Sequence, residues 1–180
     1  KKKLGNIYYA NASVGQDLRQ WRQNYNYKEG YAAKKETGGG VTLDLIHEID
    51  LINWFFGEAE LISAIFGFNK ELSIETESIS NITMKMKSNV VCNIQLDYLS
   101  PFLKRNLEIV GELGILNWDY KKGKVYLTNE NEESKIINEL DKDFQRNDMY
   151  ISEIKDFINR IENEKFDLYE YEAASNSLKV

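Results

Sequence analysis

Apolar and polar residues alternate with a period of two through the middle of the chain. Ile82, Met84 and Met86 interleave with Thr83 and Lys85, and Cys92, Ile94, Leu96 and Tyr98 interleave with Asn93, Gln95 and Asp97. Successive strand side chains point to opposite faces, so the pattern predicts antiparallel strands with one covered face and one more polar face. Further strand-like runs lie at 60–68, 72–80, 105–111, 114–119 and 123–128, and residues 5–15 (GNIYYANASVG) read as an opening strand. Glu112-Leu113-Gly114 and Lys121-Lys122-Gly123 supply turns between them.

The period changes at both ends of this region. Gly38-Gly39-Gly40 opens a helix of roughly 16–18 residues that closes at Gly57 in a C′ position. A second helix is predicted over 146–163, with Met149, Ile151, Ile154, Phe157, Ile158 and Ile161 along its apolar side. The tail from Tyr169 to Leu178 suits a third. Residues 16–37 form a polar, aromatic-rich loop with at most one helical turn, and the acidic stretch 129–143 reads as a solvated connection. Helices flanking consecutive strands give an α+β class, with helices packed on one face of a large, open, predominantly antiparallel sheet. No strand–glycine-rich loop–helix unit occurs, so no Rossmann domain is expected in this chain.

Composition narrows the function. One domain is the default for 180 residues, and 42% hydrophobic content is ordinary for a globular protein. Lys+Arg 23 against Asp+Glu 29 gives a net charge of −6, which provides no overall field for nucleic acid or an anionic membrane. No run approaches the length of a bilayer span, and there is no signal-peptide pattern. One cysteine, Cys92, is expected to be a buried small hydrophobe, and a single histidine argues against a structural metal site. A reducing, cytoplasmic setting fits these counts. The first residue is Lys, which suggests a piece excised from something longer.

That histidine, His47, sits in GGGVTLDLIHEID, three residues from Asp44 and three from Asp50. On a regular helix Asp50, His47, Asp44 and Glu48 fall at about 240°, 300°, 0° and 40°. Trp54, Leu43, Leu51 and Phe55 interleave with them, and Leu45, Ile46, Ile49, Ile52 and Phe56 fill the opposite arc. A helix apolar almost all round is expected to be buried, with its polar seam facing a partly enclosed cavity. Both i,i+3 pairs are close enough to touch, and a carboxylate beside His favours the imidazolium and orients the ring. A structural buried ion pair and a general acid–base group share this pattern. The three glycines are likewise open to two readings, a turn with positive φ or a close approach of backbone to a ligand or neighbour.

The stretch GGGVTLDLIHEIDLINWFFGE resembles the start of the C-terminal domain in the glucose–fructose oxidoreductase / inositol dehydrogenase (Gfo/Idh/MocA) family. GNIYYANASVGQDL is similar to the first strand of that domain. VVCNIQLDYLSPFLKRNLEIVGELGILNWDY is similar to its central strands, and RNDMYISEIKDFINRIENEK to a late helix. Many members separate the Asp and His by four steps where this chain has three. A subgroup linked to bacterial surface sugars has the shorter form.

The resemblance implies a substrate-binding and oligomerisation domain of an NAD(P)-dependent oxidoreductase acting on a sugar or sugar nucleotide. An N-terminal Rossmann half and a catalytic lysine would lie upstream. It implies catalytic roles for Asp44, His47 and Asp50, and dimer or tetramer contacts through the outer sheet face. Tyr25, Tyr27, Tyr31, Arg19 and Arg22 lie just upstream, where aromatic faces suit sugar rings and Arg suits a phosphate or carboxylate. Lys104 and Arg105 are expected to be exposed or paired with Asp97. The alternative is a non-catalytic, self-associating binding module. A hydrolase built on Asp44 and Asp50 is remote, because both flank one His on one helix.

Overall fold

The computed structural model describes residues 3–22, 24–163 and 168–180. Among them, eight strands form one sheet: β1 (Ile7–Gly15), β2 (Ala59–Gly67), β3 (Ile79–Met86), β4 (Val91–Asp97), β5 (Lys104–Gly111), β6 (Gly114–Asp119), β7 (Lys124–Asn129) and β8 (Ser134–Glu139). The α-helices are α1 (Val41–Asp44), α2 (His47–Phe56), α3 (Arg146–Glu162) and α4 (Leu168–Ser177). The spatial order is β2-β3-β4-β1-β5-β6-β7-β8. All neighbours are antiparallel except β1 and β4, which run parallel. β1 thus separates β2–β4 from β5–β8. The expected α+β class with a large, open, mainly antiparallel sheet is what the chain adopts.

Register explains the two faces. Ala10 and Ala12 of β1 lie opposite Cys92 and Ile94 of β4 and opposite Ile109 and Leu107 of β5, and all six are buried. α2 covers this face with Ile49 and Ile52, and the two alanines leave space for it. Burying each of those isoleucines is worth roughly 1.5–3 kcal/mol. The other face is open and carries a polar row. Thr83 Oγ1 donates to Asn93 Oδ1 at 3.0 Å, Asn93 Nδ2 to Asn11 Oδ1 at 3.1 Å, and Asn11 Nδ2 to Glu108 Oε1 at 3.1 Å.

Four expectations need correction. Residues 73–78 are a strap, not a strand. The Glu75 N–H donates to the Ala33 carbonyl and Thr76 Oγ1 to the Ala32 carbonyl, so this segment serves the 31–33 turn and meets the sheet only at Ser78, whose N–H donates to the Gly67 carbonyl. Residues 134–139, expected within a solvated connection, form edge strand β8 against β7. Helix α3 forms as predicted but buries none of its residues, so only α1, α2 and α4 fit the picture of helices packed together on one face. The loop of residues 16–37 holds four short 3₁₀ turns where at most one helical turn was expected. Cys92 is buried, and burial pushes its thiol up to about 12.

Candidate functional site

The helix after the triple glycine is broken where the sequence predicts it to be continuous. Asp44 and Leu45 make i−4 bonds to Gly40 and Val41, but Ile46 and Glu48 turn back to the i−3 carbonyls of Leu43 and Leu45. The ladder resumes at Asp50, bonded to Ile46. This tightened turn at Leu45–Ile46 rotates α2 relative to α1, so a 100° wheel drawn through both misplaces their side chains.

The consequences fall on the polar seam. Asp44 Oδ2 accepts a 2.6 Å hydrogen bond from the hydroxyl of fully buried Tyr98, and the Tyr31 hydroxyl faces the same carboxylate. Burial raises the Asp44 pKa, opposed by the two hydroxyls and the nearby Arg22 charge. Trp21 packs edge-on against Tyr98, with ring centroids 5.3 Å apart. His47 Nε2 lies 3.3 Å from Glu48 Oε1, and Glu48 is wholly inaccessible. Arg105 Nε donates to the same Oε1 at 2.5 Å. Its guanidinium also faces the rings of Trp118 and Tyr120, at 5.2 and 5.7 Å. Glu48 Oε2 has no hydrogen-bond partner among the described residues, and burial raises this carboxyl's pKa against the pull of Arg105.

Asp44, His47, Arg22 and Arg105 line one open pocket of about 320 Å³, with Trp21 and Tyr120 on its walls and Arg146 at its edge. His47 keeps 45% of its side chain accessible there. Its pKa is pushed down to about 4, first by burial of the rest of the ring and then by the Arg105 charge. At neutral pH it is an uncharged imidazole, the opposite of the carboxylate-stabilised imidazolium that the spacing suggests.

Residues 1–117 match a family model described as the GFO/IDH/MocA C-terminal domain. The chain belongs to that family. No protein of curated function matches it by sequence. Among solved structures it is similar to UDP-N-acetylglucosamine 3-dehydrogenase GnnA from Acidithiobacillus ferrooxidans, at 15% identity and TM-score 0.73 over 98% of this chain and 53% of that one. Levoglucosan dehydrogenase in complex with NADH and L-sorbose gives 14% identity and TM-score 0.73 over 88% of this chain and 50% of that one. An oxidoreductase from Agrobacterium radiobacter, in complex with NAD+, L-tartaric acid and magnesium, gives 17% identity and TM-score 0.60 over 80% of this chain and 42% of that one. The chain thus spans about half the length of these structures.

Within this GFO/IDH/MocA C-terminal domain, the residues singled out from sequence separate into groups. His47, Asp44 and Arg22 meet at the pocket. Asp50 does not join them. Its Oδ1 accepts from Ser177 Oγ at 2.9 Å, and Asn53 Nδ2 donates to the same hydroxyl at 3.2 Å, so Asp50 helps clamp α4 to α2. Among the described residues neither Asp44 nor Asp50 lies within ion-pair distance of His47; Glu48 does. Tyr25, Tyr27 and Tyr31 line a separate cleft of about 30 Å³ that shares Trp21 and Arg22 with the pocket. Tyr27 donates its hydroxyl to the Leu72 carbonyl at 3.1 Å, and Arg19 is forked onto Asp17. Lys104 pairs with Asp97 at 3.6 Å as expected, whereas Arg105 pairs with Glu48.

The helix itself is less enclosed than its composition suggests, because Leu43, Trp54 and Phe55 are exposed. The glycines resolve as close packing within the chain. A Cβ on Gly39 would stand 2.2 Å from the Tyr31 carbonyl oxygen, and one on Gly40 would meet the Glu77 carboxylate. Glu77 also accepts the Val41 and Thr42 N–H groups through its carbonyl and carboxylate. A cradle already filled by carbonyl and carboxylate oxygens repels a phosphate, so these residues do not fit a dinucleotide.

Proposed function

We propose that this chain is the substrate-binding and self-associating domain of a nicotinamide-dependent oxidoreductase, acting on a CH–OH group of a sugar or sugar nucleotide. The observation that carries the reading is the meeting of His47 and Asp44 on one wall of the open pocket, in a family whose solved neighbours include named sugar dehydrogenases. NAD or NADP, held by an N-terminal domain outside this chain, supplies the redox chemistry when bound. The residues here handle position and proton. An uncharged His47 with its Nε2–H toward Glu48 leaves Nδ1 as a lone-pair acceptor for the substrate hydroxyl proton. Glu48, fixed by Arg105, holds the ring's orientation. Asp44, held by Tyr98, accepts a hydrogen bond from a neighbouring hydroxyl of the sugar.

We also propose that the open sheet face, with Tyr9, Leu61, Ile65 and Val91 exposed, is where copies associate as a dimer or tetramer. The setting is cytoplasmic bacterial sugar and polysaccharide metabolism. In the intact protein, His47→Ala is expected to lower kcat by about tenfold or more, within the range for a lost acid–base group. Undiminished turnover in that variant overturns the role of His47. A non-catalytic self-associating module, favoured by a histidine pKa well below neutrality, predicts instead that calorimetry with NAD and NADP on the intact protein shows no binding.

A further inference from the structure

Three guanidinium groups converge on the His47 pocket of a chain whose net charge is −6. Arg22 comes from the loop after β1, Arg105 from the start of β5 on the covered face, and Arg146 from the start of α3. Among the described residues neither Arg22 nor Arg146 makes an ion pair, so both charges stay available to the pocket.

Arg105 is the more telling of the three. A guanidinium has five N–H donors. Only Nε is used, on Glu48, and no described protein acceptor takes the four N–H bonds of the two Nη groups. The group is nevertheless fixed in place, gripped at Nε by a fully inaccessible carboxylate and held against two aromatic rings, with 24% of the side chain still accessible. A guanidinium oriented in advance with its paired Nη groups free is the geometry that accepts an anion by two parallel hydrogen bonds. The acidic groups nearby do not fill that role. Glu48 is committed to Nε, and Asp44 is turned to Tyr98 and Tyr31.

We infer that the substrate taken by this pocket carries a phosphate or carboxylate, seated on Arg105 between Arg22 and Arg146. This rests on the proposed function for the identity of the pocket as a substrate site, but the anion site itself stands or falls by binding. The charge could belong to the sugar, as in a uronate, or to a nucleotide diphosphate attached to it. An apolar groove lined by Phe102, Trp118 and Phe144 continues past Arg146 and gives a large substrate room beyond the charge.

The test is calorimetry and proton NMR of the full chain with glucose, glucuronate and UDP, following the ring protons of the only histidine. Glucuronate or UDP is expected to bind at least about tenfold more tightly than glucose, which is about the worth of one charge-assisted hydrogen bond. The tighter of the two names the source of the charge. Arg22→Gln and Arg146→Gln, both at exposed positions, should each weaken that binding severalfold, and Lys135→Gln on β8 should leave it unchanged. Equal or absent binding of all three ligands, or anion binding indifferent to both arginine substitutions, overturns the inference. Anion binding with no nicotinamide-dependent turnover in the intact protein would fail the functional reading alone. Turnover of a neutral sugar with no anion binding would fail only the anion site.

Discussion

Replacing Arg105 by Met tests whether the buried carboxylate beside His47 depends on that one guanidinium. Glu48 has no accessible surface, one oxygen bonded to Arg105 and the other to nothing in the described chain. Met keeps an unbranched apolar stem but removes the guanidinium that faces Trp118 and Tyr120, leaving the carboxylate alone. Breaking a buried pair from one side costs about 3–5 kcal/mol, and the partial exposure of Arg105 sets the expectation near the lower end, at about 3 kcal/mol. The cost depends on pH with a definite sign. Burial already raises the Glu48 pKa, and losing Arg105 raises it further. The folded state then binds a proton that the unfolded state releases, so stability falls as pH rises from the ordinary carboxylate range through the folded pKa. Urea denaturation of both proteins at pH 5 and pH 8 should therefore show the larger deficit at pH 8. Arg105→Met with Glu48→Leu should recover most of it, since apolar pairs replace buried ion pairs at little cost. A deficit below about 1 kcal/mol at pH 8, or one that shrinks on going from pH 5 to pH 8, would refute the reasoning.

Three other outcomes follow from the same geometry. Proton NMR of the single histidine should give a midpoint near the pKa of about 4. The folded form therefore sheds its proton before the unfolded form, and stability should decline as pH drops from about 6.5 towards 4. Tyr98→Phe removes the 2.6 Å bond to Asp44 and should destabilise the chain by about 1.5–3 kcal/mol in denaturant melts. Gly39→Ala should cost well over about 2 kcal/mol because its Cβ would overlap backbone oxygens, whereas Gly38→Ala, with open space but a φ of 73°, should cost about 1–2 kcal/mol.

The strands that show in the sequence are those with one covered face. β3 and β4 bury every second residue between the sheet and the α1–α2 segment, which writes the alternation directly into the chain. β8 is an edge strand exposed along most of its length, so SKIINE carries no period. The opposite error arises at 72–80, where Thr76 is buried by bonding to the 31–33 turn and not by sheet pairing, and the ladder is joined only at Ser78. His47 and Asp44 could be found because they are close in sequence. Their partners could not be found that way. Tyr98 and Arg105 are 54 and 57 residues from Asp44 and Glu48, the residues they hold. Parity offered a signal. Arg105 shares its strand face with Leu107 and Ile109, so a charge at that position points toward the helices and needs a buried acid. Glu48 was on the wheel's polar seam, and the tightened turn at Leu45–Ile46 is what made it the inner residue.

The place of β1 has a bearing on how the molecule is made. β2–β4 and β5–β8 are each runs of neighbouring antiparallel strands that can zip locally, but within the sheet they are hydrogen-bonded together only through β1. Its partners are residues 91–97 and 104–111, so its slot does not exist until those strands have been synthesised. Pairings of such sequence separation are slow to close. Until then β1, with its alanine-lined inner face, has no sheet to enter, and its insertion is the step that joins the two wings.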